Sequence, residues 1–411
     1  MRVVVAGYGS TGDTLPLIAL AVGVDRAGHE VVLIADEEAE VTATRLGLDF
    51  RPLAGSSRAV ITEGSHGWAE TIASGRPSPR AFIELGRFHT REWIDTINEA
   101  AEGADVIVCS VLGLHHAASV AQDRQLPLIA VQLQPTLATR DYPPPLSGLT
   151  RTPRWLNRPL ATLAVRAGDL SFTGGVNRVR RELGRPPLKV VWDEVPILMA
   201  WSPTVLPAAS DWAHPDFTIT GAWHLPTPPD WQPPADLVEF LDAGDPPVYV
   251  GFGSMSGFSG AAALRDSILD GLSGHRVLLA AGWAGLTDAE LPGNVHPVGH
   301  VPHDWLFGRC SAIVHHCGAG TSQQAARSGV PSIPVPFTAD QPFWATRLRS
   351  LGISSGPLNP RKLDGEAVRS AIAEATSEPV RERSTHIAQL MGAEQDGVTA
   401  AMDRIQQVTA R

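Results

Sequence analysis

What most limits this chain is a pattern that occurs twice. Short apolar runs rich in β-branched residues alternate with helical stretches, at 3–6, 31–35, 105–109 and 128–131, and again at 248–252, 276–280, 312–314 and 332–335. Runs this short, apolar throughout rather than at alternate positions, read as strands buried on both faces. Strand–helix–strand series build parallel sheets. Residues 15–27 read as the first intervening helix, with Gly28 as its stop. At 411 residues the chain exceeds one ordinary core. Each series is therefore expected to form its own doubly wound, Rossmann-like α/β domain. Between them lies LPTPPDWQPP at 225–234, whose prolines exclude regular structure and make a semi-rigid linker. The expected division is 1–224, the linker 225–234, and 235–411, with a helical tail from 379 onward.

Composition narrows the class. The chain is 43% hydrophobic with a net charge of −10, and no basic run marks a nucleic-acid or membrane patch. Nucleic acid is not an expected partner. Three cysteines without a CxxC motif fit a reducing, cytoplasmic setting. The N-terminus begins as a strand without a signal-peptide layout, and no apolar run reaches the roughly 20 residues that span a bilayer.

The chemistry concentrates in the second series. The run at 312–314 is followed by His315-His316-Cys317-Gly318-Ala319-Gly320-Thr321 and then by a helical stretch. Small residues and a hydroxyl at a strand-to-helix turn make a phosphate cradle, because the first helical turn leaves its N–H groups unpaired and carries partial positive charge. His316 and Thr321 can add side-chain donors, and Gly318 and Gly320 allow close approach. The next run, 332–335, leads to Asp340 and Gln341. Neighbouring strands of a parallel sheet end on one rim. A diphosphate on the first loop would thus hold its attached group near Asp340 and Gln341, an acceptor and donor pair suited to sugar hydroxyls. Ser254, after a strand and two glycines, is a further phosphate-binding hydroxyl.

The first series offers a rival. Gly7-x-Gly9-x-x-Gly12 matches the dinucleotide fingerprint, and Asp36 ends the next strand where a ribose-binding acid would sit. A hydride-transferring dehydrogenase would use both. Against it, Asp13 follows the third glycine directly and would face a pyrophosphate with like charge. A dehydrogenase also needs no second phosphate loop. His315, His316, Cys310 and Cys317 lack a second ligand pair with finger spacing, so no metal site is expected. His115 and His116 are expected to pack or cap a helix.

Four blocks in order, GYGSTGD at 7–13, VGFGSM at 250–255, VPHDWL at 301–306, and HHCGAGT with ADQPFW at 315–344, resemble the inverting nucleotide-sugar glycosyltransferases of the two-domain GT-B architecture, family 1. Within these, the chain is most similar to sterol glucosyltransferases and bacterial natural-product glycosyltransferases. The resemblance implies two facing Rossmann-like domains and a tail that crosses back to the first. It implies a metal-independent hexosyl transfer from a UDP-sugar, UDP-glucose first and a dTDP-sugar as the alternative, with no further cofactor. The acceptor would be an apolar hydroxylated molecule such as a sterol or other natural product. Ser10, Thr11 and Gly12 would approach the donor from the first domain, and Val301 and His303 would meet its base and ribose. His316, Gly318, Ala319, Gly320 and Thr321 would hold the diphosphate, and Asp340 and Gln341 the hexose. Plant members often carry Glu at the position of Gln324 and a His base after the first strand; this chain has neither.

Asp13 then becomes the general base. With an ordinary carboxylate pKa near 3.9 it would be ionised but weak, taking the proton late in the transition state. Its competing role is a cap on the helix that it opens. The irregular stretches 55–79 and 134–154 and the amphipathic pattern at 80–101 supply acceptor-binding aromatics, namely Trp68, Phe82 and Tyr142, with ordinary core as their alternative role. Two other rivals share the architecture: a nucleotide-sugar epimerase, and a sensor that binds the donor without turnover.

Overall fold

The computed structural model describes residues 1–57, 88–188, 194–253, 261–280 and 291–410. Two all-parallel sheets organise them. The first has seven strands in the order β3 (Asp49–Leu53), β2 (Glu30–Asp36), β1 (Arg2–Ala6), β4 (Val106–Ser110), β5 (Leu128–Gln132), β6 (Ile197–Met199) and β7 (Phe217–Ile219). The second has five in the order β10 (Val295–Val298), β9 (Val277–Ala280), β8 (Val248–Gly251), β11 (Ala312–His315) and β12 (Ser332–Pro334). In the central strand β1 (Arg2–Ala6), Val3 pairs with Val31 of β2 (Glu30–Asp36) and Val106 of β4 (Val106–Ser110). Its side chains alternate between two cores. Val4 and Ala6 join one apolar cluster, while Val3 and Val5 join another with Leu17 and Leu20 of the helix Thr11–Arg26. This is why the run is apolar at every position. In the second sheet β8 (Val248–Gly251) divides likewise, with Val248 and Val250 on one face and Tyr249 on the other.

The eight strands expected from sequence all form, each within one or two residues. Four more were not expected: β3 (Asp49–Leu53), β6 (Ile197–Met199), β7 (Phe217–Ile219) and β10 (Val295–Val298). Three of them are sheet edges. β3 and β10 contain Pro52 and Pro297, which an edge tolerates because one side of its ladder is unpaired. The helix Arg154–Glu182 was also unexpected, since Pro159, Gly168, Gly174 and Gly175 lie inside it. The helical tail from 379 forms as two helices, Glu378–Gly392 and Gly397–Thr409. The last packs on the first helix of the chain, with Ala401, Met402 and Ile405 in the core around Leu17 and Val24.

The linker residues 225–234 have no helix or strand and are tied to the second half. Thr227 donates from its backbone N–H and its hydroxyl to Asp304 at 2.9 and 2.5 Å, and Trp231 packs edge-on to Trp305 at 5.2 Å. Behind the linker, an apolar seam joins Trp201 and Val205 of the first half to Phe343, Trp344 and Leu348 of the second. The Ser202 backbone N–H donates to Gln323 Oε1 across that seam at 3.1 Å.

Candidate functional site

Each sheet has one place where the strand order reverses. In the first it lies between β1 and β4, and in the second between β8 and β11 (Ala312–His315). Helices leave such a point on opposite faces, so a crevice opens there at the carboxyl ends of the strands. In this chain the two crevices form one cleft of about 1720 Å³. The loops after β1 and β4 supply Ser10, Asp13 and Ser110; the loops after β8 and β11 supply Gly253, His316 and Thr321. The topology thus brings the Gly7–Gly12 turn and the HHCGAGT loop, some 300 residues apart, into one site.

On the second-half wall, Gly318 caps the helix Ala319–Ser328, whose first turn carries Gly320 and Thr321 to the cleft. His316 is held between two glycines. A Cβ on Gly253 would lie 3.1 Å from its Cε1, and one on Gly318 would lie 2.6 Å from its Nε2. Burial lowers its pKa to about 4, so the ring is neutral at pH 7 and acts as a dipole, not as a cation. Its Nδ1 is enclosed and meets no partner among the described residues. His315 faces inward instead, its Nδ1 accepting from the Cys317 N–H at 3.2 Å. Cys317 and Ala339 have φ of 64° and 55°, an unusual backbone state for residues with a side chain. Both lie in the two loops that line this wall, where such strain tends to gather.

Asp340 is only 8% exposed and precedes the helix Gln341–Leu351. Trp344 Nε1–H donates to its Oδ2 at 3.0 Å. Burial, and next the charge of Asp13, push its pKa up to about 7. The sequence suggested a plain carboxylate; the structure gives one that is partly protonated near neutrality. Gln341 also departs from expectation. Its Oε1 accepts from the N–H groups of Phe337 and Thr338 at 2.8 and 3.1 Å, so the carbonyl end shapes the loop.

Asp13 is the third residue of its helix. Its Oδ2 accepts from the N–H and the hydroxyl of Ser10, both at 3.0 Å. The cap role is therefore real. The pKa is nonetheless raised, because burial outweighs these bonds and a further one from Gln134. The ordinary acidity expected from sequence is corrected: Asp13 is a stronger base than a free aspartate. Gly9, at φ 148°, leaves room for it, since a Cβ there would sit 2.4 Å from Oδ2. Ser10, Thr11 and Gly12 all line the cleft. Asp36 does not. Its carboxylate accepts from the N–H groups of Glu38 and Ser57 at 3.1 and 2.8 Å, which removes the ribose acid that a dehydrogenase would need.

Val301 and His303 border the cleft but turn largely into packing. Val301 joins the core around Leu306, and His303 stacks on Phe307 at 4.3 Å with its Nε2 3.3 Å from the Tyr249 hydroxyl. Burial lowers the pKa of His303 to about 4. Trp305 packs on the linker. On the first-half wall, Tyr142 lines the cleft and meets Phe343 edge-on at 5.1 Å. Trp68, Phe82 and Ser254 lie outside the described residues. Three lining residues were not singled out as site residues from sequence. Gln134, after β5 (Leu128–Gln132), bonds Asp13. His224, at the linker start, has its pKa lowered to about 4 by burial. His115 stacks on Phe172 at 5.5 Å, 3.3 Å from Asp169. A polar residue just past a strand end was the available signal for Gln134; the other two depend on the long helix and on the linker path.

Among the described residues no group of three or more His, Cys, Asp or Glu could hold a metal ion, and no helix is long and apolar enough to cross a membrane.

Known proteins share this arrangement. Residues 277–402 match the erythromycin biosynthesis protein CIII-like C-terminal domain. The vancomycin aglycone glucosyltransferase of Amycolatopsis orientalis is 34% identical over 412 residues, covering 94% of this chain and 93% of that one. A sterol 3-beta-glucosyltransferase of Arabidopsis thaliana is 28% identical over 426 residues; the match covers 98% of this chain and 64% of that enzyme's length. Among solved structures, the glycotransferase of kitacinnamycin superposes with a TM-score of 0.72 at 20% identity, covering 99% and 98% of the two chains. The glycosyltransferase VinC in complex with dTDP gives 0.69 at 18%, with both chains covered fully. With two parallel sheets, one shared cleft and this sequence likeness along its whole length, the chain belongs to the GT-B glycosyltransferases of the natural-product and sterol type.

Proposed function

We propose that the protein transfers a hexose, glucose first, from a nucleotide-diphosphate sugar to a hydroxyl of an apolar acceptor, with inversion at the anomeric carbon. One observation carries this reading. Asp13 and Asp340 come from opposite halves, line one cleft, and are close enough for the charge of one to raise the pKa of the other. A base and a sugar-binding carboxyl on facing walls suit direct displacement.

In this mechanism Asp340 accepts from the hexose hydroxyls and fixes the ring. The acceptor oxygen attacks the anomeric carbon as the bond to the diphosphate oxygen breaks, and that electron pair leaves with the diphosphate. The acceptor proton passes to Asp13. Its raised pKa improves the match between base and alcohol, and a positioned base of this kind contributes about 10²–10⁴-fold. The departing charge meets the N-terminus of the helix Ala319–Ser328, the Thr321 hydroxyl and the neutral His316 ring. No step is assigned to a metal ion or to another cofactor. The acceptor lies on the first-half wall near Tyr142, where apolar lining predominates. UDP is the proposed nucleotide; dTDP, bound in the VinC structure, is the alternative.

The deciding experiment incubates the protein with UDP- and dTDP-sugars against sterols and polyphenols and looks for glycoside masses. A product that keeps the donor's anomeric configuration would refute the single-displacement mechanism. Donor binding with no glycoside from any acceptor would favour a sensor.

A further inference from the structure

Five of the eight most exposed large apolar side chains among the described residues fall between 146 and 170: Leu146, Leu149, Trp155, Leu163 and Leu170. Trp155, Leu163 and Leu170 are 73%, 66% and 76% exposed and lie on the helix Arg154–Glu182. At 3.6 residues per turn they fall within about 80° of one another, so they form one outward stripe. Charge gathers beside it, with Arg158 and Arg166 lining one groove with Trp155 and Leu163. From 151 to 168 the chain has four arginines and no acid, in a protein of net charge −10. No compact basic run is visible in the sequence; the helix and the preceding loop assemble the patch. Arg140, Arg158 and Arg166, with Trp155 and Leu163, line a shallow groove of about 430 Å³. The nearby acids are few: Asp141 pairs with Arg154 at 2.7 Å, Asp169 beside Leu170 lies 3.3 Å from His115, and the charge of Arg158 is felt at Asp211.

We propose that this stripe docks the protein on an anionic phospholipid bilayer, with the arginines taking lipid phosphates and Trp155, Leu163 and Leu170 entering the interface. Apolar side chains flanked by guanidinium groups are what such a surface selects. A second copy of the chain is a poorer occupant, because two-fold pairing through this face would set arginines against arginines. Leu163 and Arg166 also line the main cleft, so a docked bilayer would lie at the mouth of its first-half side. If the acceptor reading above holds, an apolar acceptor could enter from the lipid.

The test is co-sedimentation of the full chain with phosphatidylcholine vesicles, with and without phosphatidylglycerol, at low and high salt. Wild type is expected to bind the anionic vesicles and to release them in high salt. The double variant Trp155→Ala with Arg158→Glu changes residues that do not line the main cleft, and it should partition at least about tenfold more weakly. An unchanged melting temperature and unchanged UDP titration show that the variant is folded. Equal vesicle binding by variant and wild type would overturn the proposal, as would a wild type that ignores anionic vesicles. A dimer in sedimentation velocity that the variant dissolves would reassign the face to self-association.

Discussion

Replacing Asp340 with Asn should stabilise the ligand-free protein at and above neutral pH, and do so less and less as pH falls. The magnitude follows from its surroundings. Burial, then the charge of Asp13, raise the Asp340 pKa from 3.8 to about 7. A carboxyl whose pKa is higher in the folded than in the unfolded state gives its full stability below the unfolded value and loses it as pH rises through the folded one. At about 1.36 kcal/mol per pH unit over that window, the loss by pH 8 is about 4 kcal/mol. Asn does not ionise, and its Oδ1 can still accept the Trp344 N–H that Asp340 accepts at 3.0 Å. Urea unfolding of both proteins from about pH 4 to about pH 8 is the assay. The variant's advantage should be near zero at the acid end, grow with pH, and level off above about pH 7. In an Asp13→Asn background the advantage should level off at lower pH and be smaller, since one cause of the shift is removed. A pH-independent difference, or a wild type that is the more stable at pH 8, would refute the reasoning. The same substitution should weaken use of the sugar donor while sparing affinity for UDP alone.

Asp13→Asn keeps the acceptor for the Ser10 N–H and removes a buried charge, so it should melt no lower than wild type yet lose about 10²–10⁴-fold in turnover; full activity would leave Asp13 a cap only. His316→Ala should slow transfer by on the order of 10²-fold, checked by turnover together with calorimetric titration of UDP. Wild-type behaviour in both would remove His316 from the site. Small-angle scattering should show a smaller radius of gyration with UDP if the halves close on each other about the linker to exclude water. An unchanged profile with full activity would mean that the cleft is closed already.

The central strands were legible because they are buried on both faces and so apolar at every position, as in Val3, Val4 and Val5. The edges were not, because a strand such as Asp49–Leu53 can carry Arg51 and Pro52 where one side is unpaired. The helix Arg154–Glu182 was hidden by its own proline and glycines. His316, Thr321 and Asp340 could be singled out because each follows an apolar run at a strand end, and all three line the cleft. Their electrostatics were not readable. The pKa of Asp340 depends on Asp13, more than 300 residues away, and the neutrality of His316 depends on enclosure that no local pattern encodes. Gly9 illustrates a subtler loss. In sequence it belongs to a dinucleotide fingerprint; in the fold it makes room for the carboxylate of Asp13.

The return of the last helix has a consequence for how the chain matures. Ala401, Met402 and Ile405 complete the apolar core beneath β1 and the first helix, and Val398 reaches Gly23 so closely that a Cβ there would lie 2.2 Å from it. A ribosome makes those residues long after the rest of that core. At about 5–20 residues per second, the second half takes on the order of 10–40 s to follow the first. Through that interval the outer face of the Thr11–Arg26 helix waits uncovered. The first half should therefore stay incompletely assembled until the helix Gly397–Thr409 emerges, and a break placed within the linker should yield an amino-terminal fragment prone to aggregate unless the closing helix is supplied in trans.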